Sequence, residues 1–169
     1  NPDFTLGWTN AFSWKGLELS LLVDGRYGGK VLSQTQADMD MYGVTKVTGD
    51  ARDKGYVMLE GEKITNVKGF YKSIVGGRAG VTEYYMYDAT NLRLRELALG
   101  YTFPKRWMEA TKFFRDIQLS FTARNLLYIY KKAPFDPDLI LSTGNDNQAI
   151  EVYGMPTTRS MGFSLRVMF

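Results

Sequence analysis

The last eleven residues, Arg159 to Phe169, constrain the fold more than any other stretch. They read Arg-Ser-Met-Gly-Phe-Ser-Leu-Arg-Val-Met-Phe. Met161, Phe163, Leu165, Val167 and Phe169 share one parity, and Ser160, Gly162, Ser164, Arg166 and Met168 share the other. Side chains alternate between the two faces of a strand, so this segment has one greasy face and one mostly polar face. No polar tail follows it, and the final residue is an aromatic. A strand of about ten residues with one apolar face is what crosses a bilayer in a closed barrel. A half-buried strand of a soluble β-sandwich would show the same alternation, so the other segments must decide.

Four more stretches carry the period-2 pattern. Residues 3–14 place Phe4, Leu6, Trp8, Phe12 and Trp14 on one parity, broken once by Asn10. Lys15-Gly16 is a tight-turn signal. Residues 17–27 set Leu17, Leu19, Leu21 and Val23 against Glu18, Ser20, Asp24 and Arg26, with Leu22 the exception on the polar face. Residues 91–103 oppose Leu97, Leu99, Tyr101 and Phe103 to Glu96, Ala98, Gly100 and Thr102. Upstream, Leu92 and Leu94 fall on the wrong parity, which a β-bulge near Arg95 would correct. Pro104 ends that strand. Residues 117–130 oppose Ile117, Leu119, Phe121 and Ala123 to Gln118, Ser120, Thr122 and Arg124.

The connections alternate short, long, short, long. Residues 28–90 form a long polar segment rich in Gly, Asp and Lys. Within it, Val31 to Tyr42 has helix-compatible composition, and Asn66 caps a predicted helix over Val67 to Val75. Residues 105–116 are read as a connection, and residues 131–158 as a second long loop. Short turns on one side and long loops on the other are the habit of outer-membrane barrels. The aromatics sort the same way, with Trp14, Phe103, Trp107 and Phe169 towards the short turns. Tyr27, Tyr85, Tyr87, Tyr128 and Tyr130 lie towards the long loops, as expected of two interfacial belts. This favours the membrane barrel over the sandwich.

Composition removes other classes. The chain has no Cys and no His, which excludes disulfides, thiolate metal sites and the usual general base. A net charge of +3 is too small to argue for nucleic acid. No run approaches the ~18 apolar residues of a membrane-spanning helix. The chain opens at Asn1-Pro2 without Met and is read as a piece of a longer protein.

Three stretches carry a resemblance. Tyr87 to Lys105 (YDATNLRLRELALGYTFPK), Ala123 to Asp138 (ARNLLYIYKKAPFDPD) and Pro156 to Phe169 (PTTRSMGFSLRVMF) resemble the C-terminal barrel segments of the SusC/RagA family. The opening hairpin, NPDFTLGWTNAFSWKGLELSLLVDGRYGG, is similar to the preceding hairpin of that family. The family's members are TonB-dependent outer-membrane transporters. The resemblance implies an all-β, antiparallel transmembrane barrel of about 22 strands in the complete protein. This chain would hold the last five strands, with residues 28–90 and 131–158 as extracellular loops. The resemblance also implies a plug and a TonB-contacting part lying outside this chain, and a SusD-like surface lipoprotein as lid. The cargo would be a glycan or a peptide, and the location the outer membrane of a Gram-negative bacterium, in contact with lipid and with the barrel-assembly machinery. The competing expectation is a secreted β-sandwich that binds carbohydrate on surface aromatics.

The motifs with chemical appearance have plainer readings. Asp136-Pro137-Asp138 could pass for a glycosidase carboxylate pair, but turn chemistry explains it better. No base or nucleophile accompanies it, so no enzyme, catalytic residue or cofactor is expected. By the resemblance, Asp136, Asp138 and Tyr153 lie in an extracellular loop and are candidates for touching lid or cargo. Asp38, Asp40, Asp50 and Asp53 lack EF-hand spacing, and no metal site is expected. Gly76 to Gly80 lacks the Lys-Ser/Thr of a phosphate loop. Glu96, Arg124 and Arg166 fall on the polar parity and would face the barrel lumen. Phe169 matches the family's terminal aromatic, which resembles the signal read by the barrel-assembly machinery.

Overall fold

The fold is taken from a computed structural model, which describes residues 1–75, 83–111, 113–139, 141, 142, 144, 147 and 149–169, and the side chains of all of these but 110 and 111. The glycine-rich segment Gly76 to Gly80 lies outside the described residues. In chain order the elements are β1 (Phe4–Trp14), β2 (Leu17–Tyr27), β3 (Lys30–Ser33), α1 (Gln34–Tyr42) and α2 (Lys46–Lys54). There follow β4 (Val57–Leu59), β5 (Glu62–Ile64), α3 (Val67–Val75), a 3-10 turn at Glu83–Tyr85 and β6 (Met86–Asp88). The chain ends with β7 (Asn91–Thr102), α4 (Lys105–Thr111), β8 (Asp116–Lys131), β9 (Ile150–Glu151) and β10 (Ser160–Met168). They fall into two compact units, one holding the five long strands and the other formed by residues 30–88 and 138–155, with Asn1.

The first unit is an antiparallel sheet in the order β1-β2-β7-β8-β10. Its register aligns the apolar parities of all five strands. Phe12, Leu19, Leu99, Phe121 and Phe163 form one continuous row, and Trp14, Leu17, Tyr101, Leu119 and Leu165 another. Between these rows runs a small, polar one of Ser13, Glu18, Gly100, Ser120 and Ser164. The apolar rows are open to the surroundings; Phe163 is 80% exposed and Leu165 64%.

Local geometry explains the register. β1 and β2 close over Lys15 and Gly16, both with positive φ (47° and 87°), a two-residue turn whose twist suits a hairpin. Gly16 also accepts the Thr102 N–H at 2.8 Å, and a Cβ there would lie 2.5 Å from the Thr102 carbonyl oxygen. The bulge expected near Arg95 is present: β7 and β8 pair Leu94 with Leu127 and Glu96 with Arg124, leaving Arg95 unmatched. It returns Leu92 and Leu94 to the apolar face. On β8 the irregularity centres on Asn125, whose φ of 51° is a left-handed conformation that Asn tolerates.

The second unit differs from the expected loops. Residues 31–42 are not one helix: β3 occupies Lys30–Ser33, and Ser33 then caps α1, its Oγ accepting the Gln36 N–H at 3.1 Å. β3 is held between β6 (antiparallel) and β9 (parallel), so residues from both long connections share one small sheet. α3 runs Val67–Val75 behind the expected Asn66 cap, whose Oδ1 accepts the Gly69 N–H at 2.9 Å. Two adjoining apolar clusters fill the unit. Ala51, Val57, Val67, Phe70 and Tyr71 form one; Ala37, Val75 and Tyr85 form the other, with Ile74 touching both. Residues 105–111, expected as plain connection, form α4.

Candidate functional site

The sheet's polar face carries a chain of charged and hydroxyl groups near the ends of β2, β7 and β8. Asp24, Arg93 and Tyr128 are register partners across these three strands. Arg93 is 1% exposed, and its Nε and Nη2 donate to the two carboxylate oxygens of Asp24, each at 3.2 Å. Arg95, set outside the ladder by the bulge, donates to the same carboxylate at 2.7 Å. Arg93 Nη1 reaches the Tyr128 hydroxyl at 3.3 Å, and Tyr128 donates to Asp136 Oδ1 at 2.5 Å. Asp136 Oδ2 accepts both the N–H (3.1 Å) and the hydroxyl (2.5 Å) of Thr157. A buried guanidinium survives only when paired and hydrogen-bonded, and here Asp24 does both.

This chain of bonds assigns Asp136 a structural post. The residue is buried, and three donors already occupy its carboxylate. It pins the two ends of the β8–β10 connection together. Asp138 is half-buried and belongs to the other unit. Tyr153 is exposed, with φ 48°. Its hydroxyl donates to Asp38 and its N–H to Thr35 Oγ1 at 2.6 Å. The hydrogen bond to Asp38 raises the Tyr153 pKa above the phenolic norm. Glu151 completes that corner, buried and accepting from Ser33 Oγ at 2.7 Å and Thr35 Oγ1 at 2.6 Å.

Glu96 and Arg124 are register partners on the polar face and pair at 3.4 Å across β7 and β8. Arg166 lies on the same face, opposite Gln118, and is exposed. Phe169 sits against Phe113 (5.2 Å between ring centroids) and Phe114 (5.7 Å), at the end of the sheet where the short turns lie. Phe103 and Trp107 meet there at 6.0 Å between ring centroids, their planes tilted by 41°. At the opposite end Phe4 stacks on Tyr27 at 5.3 Å, and Tyr130 is exposed. The belt expected there is smaller than the sequence implied. Tyr85 is wholly buried in the second unit and Tyr87 packs against it. Tyr128 points into the polar chain described above.

Asp40, which the sequence offers only as one of four loop acids without metal-ligand spacing, is instead buried. It is 4% exposed, on α1, and its Oδ1 accepts from Thr45 Oγ1 at 2.7 Å and Gln36 Nε2 at 3.0 Å. Tyr71 is pushed up to about 12 by burial, then by Tyr84 and the Asp40 carboxylate. Burial first and Asp40 second also raise Tyr84, Tyr85 and Tyr87. The signal available in sequence was an acid four residues after Gln36 inside a helix. The tyrosines it influences lie far along the chain, beyond the reach of local pattern. Among the described residues, no group of three or more His, Cys, Asp or Glu side chains gathers to hold a metal.

An antiparallel sheet with exposed apolar rows on one face, polar rows on the other and ring clusters at both ends is a portion of a transmembrane β-barrel. No helix among the described residues is long and apolar enough to cross a membrane. No family model matches the chain. It is 24% identical over 173 residues to the TonB-dependent receptor P3 of Formosa agariphila, covering 99% of this chain and 16% of that protein. Its fold is similar to a chain of the RagAB peptide importer in the open-open state, at TM-score 0.68 and 18% identity, covering 100% of this chain and 17% of that one. The closed-closed state of RagAB gives TM-score 0.66 at 18% identity, covering 98% of this chain and 17% of that one. The chain thus spans about a sixth of the length of these relatives. Together these likenesses show a fold shared with part of a RagAB chain and a sequence similar to part of a TonB-dependent receptor.

Proposed function

We propose that this chain is wall and external structure of an outer-membrane, TonB-dependent importer working with a SusD-like lipoprotein, whose cargo is a glycan or a peptide. The single observation carrying this reading is the pair of apolar rows crossing all five strands on an exposed face. Left in water, such a face would be a large exposed apolar patch. In a bilayer it is the outer surface of a barrel, and its polar reverse lines the lumen. β1 and β10 each pair on one side only among the described residues, and in the complete barrel the rest of the wall closes both edges. The 24% identity to a TonB-dependent receptor and the RagAB-like fold support import as the activity. On this reading Glu96, Arg124 and Arg166 face the lumen, residues 28–90 and 131–158 are the extracellular loops, and Phe169 is the terminal aromatic of barrel assembly. Tyr153 and Asp138 remain candidates for touching lid or cargo. Asp136 acts as a structural clamp.

The test uses the complete protein in cells. Tags placed within Lys46 to Lys63 should be labelled on intact cells, and tags at Lys15-Gly16 should not. Labelled oligopeptides and oligosaccharides are then offered to cells with and without the protein. Uptake of one class should require both the protein and the proton-motive force. Surface labelling at Lys15 with none at Lys54 would invert the topology. Protein-independent uptake of every cargo would remove the import reading.

A further inference from the structure

Beside Asp40 the second unit holds a pocket of about 270 Å³, built by the C-terminal end of α1, the first turns of α2 and α3, and Arg52. Its walls carry opposite charges. Asp40 and the last turn of α1 supply negative potential, since a helix C-terminus bears a partial negative charge. Thr45 and Gln36, which donate to Oδ1 of Asp40, are both neutral. Arg52 and Lys68 supply positive charge, Lys68 from the first turn of α3, where the helix end is itself positive. Arg52 spends one N–H on the Gly43 carbonyl at 2.8 Å, which holds the guanidinium at the pocket. Gly43 has φ 71°, and a Cβ there would come within 2.6 Å of that Arg52 nitrogen, so the glycine keeps this corner open. Tyr71 and Thr48, both buried, add hydroxyl-bearing side chains, and Val67 and Met41 add apolar wall.

We infer that this pocket binds a small zwitterion carrying an α-ammonium and a carboxylate, the ammonium on Asp40 and the carboxylate on Lys68 and Arg52. The volume suits an amino acid or a dipeptide, each of which carries both charges. A neutral sugar would leave both charges unanswered. A dianion would meet Asp40, and a plain cation would meet Lys68 and Arg52. The pocket lies within one compact unit and does not depend on the barrel being closed or on import taking place.

The experiment is calorimetric titration of the complete protein in detergent with L-alanine, N-acetylalanine, alaninamide and Ala-Ala. Alanine should bind saturably, and N-acetylalanine should bind at least roughly tenfold more weakly, the scale of one lost charge-assisted hydrogen bond. Alaninamide should be weakened comparably. Lys68→Ala, at an exposed site, should weaken alanine several-fold and leave alaninamide almost unchanged. Asp40→Asn should abolish ammonium preference; because Asp40 is buried, the ligand series on the unaltered protein decides the matter if that variant fails to fold. Ala-Ala binding more tightly than alanine would assign the pocket to dipeptides, and the reverse to free amino acids; either supports a zwitterion site. No saturable binding of alanine or Ala-Ala, or affinity indifferent to acetylation, would overturn it.

Discussion

Replacing Asp136 tests whether this carboxylate is a clamp or a cargo contact. It accepts three hydrogen bonds, from Tyr128 Oη at 2.5 Å, Thr157 N–H at 3.1 Å and Thr157 Oγ1 at 2.5 Å. Asp136→Asn keeps the volume and removes the charge. The least costly amide orientation keeps its oxygen on Thr157 and turns its NH₂ to Tyr128, whose hydroxyl then accepts. Each bond falls from the ionised to the neutral class, a loss of about 1 kcal/mol apiece, so about 2–3 kcal/mol in total. Asp136→Ala leaves three donors without their acceptor and should cost about 4 kcal/mol or more. The assay is urea unfolding of the complete protein in lipid vesicles, read as a midpoint shift at constant slope. A double-mutant cycle with Tyr128→Phe should return a coupling of about 1–2 kcal/mol. Cargo uptake per folded molecule should be unchanged. Losses below about 1 kcal/mol for both Asp136 variants, or uptake lost at unaltered stability, would refute the clamp.

Other outcomes follow from the same geometry. Leu165→Arg puts a charge on the exposed apolar row and should cost on the order of 2–4 kcal/mol of folding stability in vesicles, while Arg166→Gln on the polar row should change it little. Gly16→Ala drives a Cβ to 2.5 Å from the Thr102 carbonyl at φ 87°, and should lower folding yield in vesicles through the β1–β2 turn. Tyr71 is neutral and buried when folded, with a pKa raised from 10.0 to about 12. Its contribution to stability is therefore complete below about pH 10 and is lost as pH rises through about 12, so tyrosinate absorbance and loss of helical signal should rise together in that window. Separate transitions would show that Tyr71 ionises within the folded unit.

The antiparallel sheet was legible because its signal is local and repeated. Each strand shows period-2 alternation, and the parity slip at Leu94 marks the bulge at Arg95. What escaped the reading depends on partners far along the chain. β3 has only four residues, and its parallel partner pairs Leu32 with Ile150. Composition favoured helix across Val31 to Tyr42, and tertiary pairing overrode it in the first residues. Asp136 looked like a loop acid because its partners lie 8 and 21 residues away. Position alone sorts Tyr85 and Tyr128 into a belt. One is core to a cluster and the other is a link in a polar chain, which aromatic composition cannot distinguish. Asn66 was found because a cap acts within three residues.

The central claim is that one face of the five-stranded sheet meets lipid and the other does not. This chain has no Cys of its own, so a reporter thiol placed in it is unique there once any Cys elsewhere in the complete protein has been replaced by Ser. Phe163→Cys and Ser164→Cys, neighbours on opposite faces of β10, are each labelled with an environment-sensitive fluorophore in the complete protein, in vesicles. Phospholipids brominated at mid-chain should quench the label at residue 163 and spare that at 164, and aqueous iodide should do the opposite. Iodide quenching at both positions with no effect of the brominated lipids would contradict the membrane barrel and return the chain to a water-soluble β-sandwich.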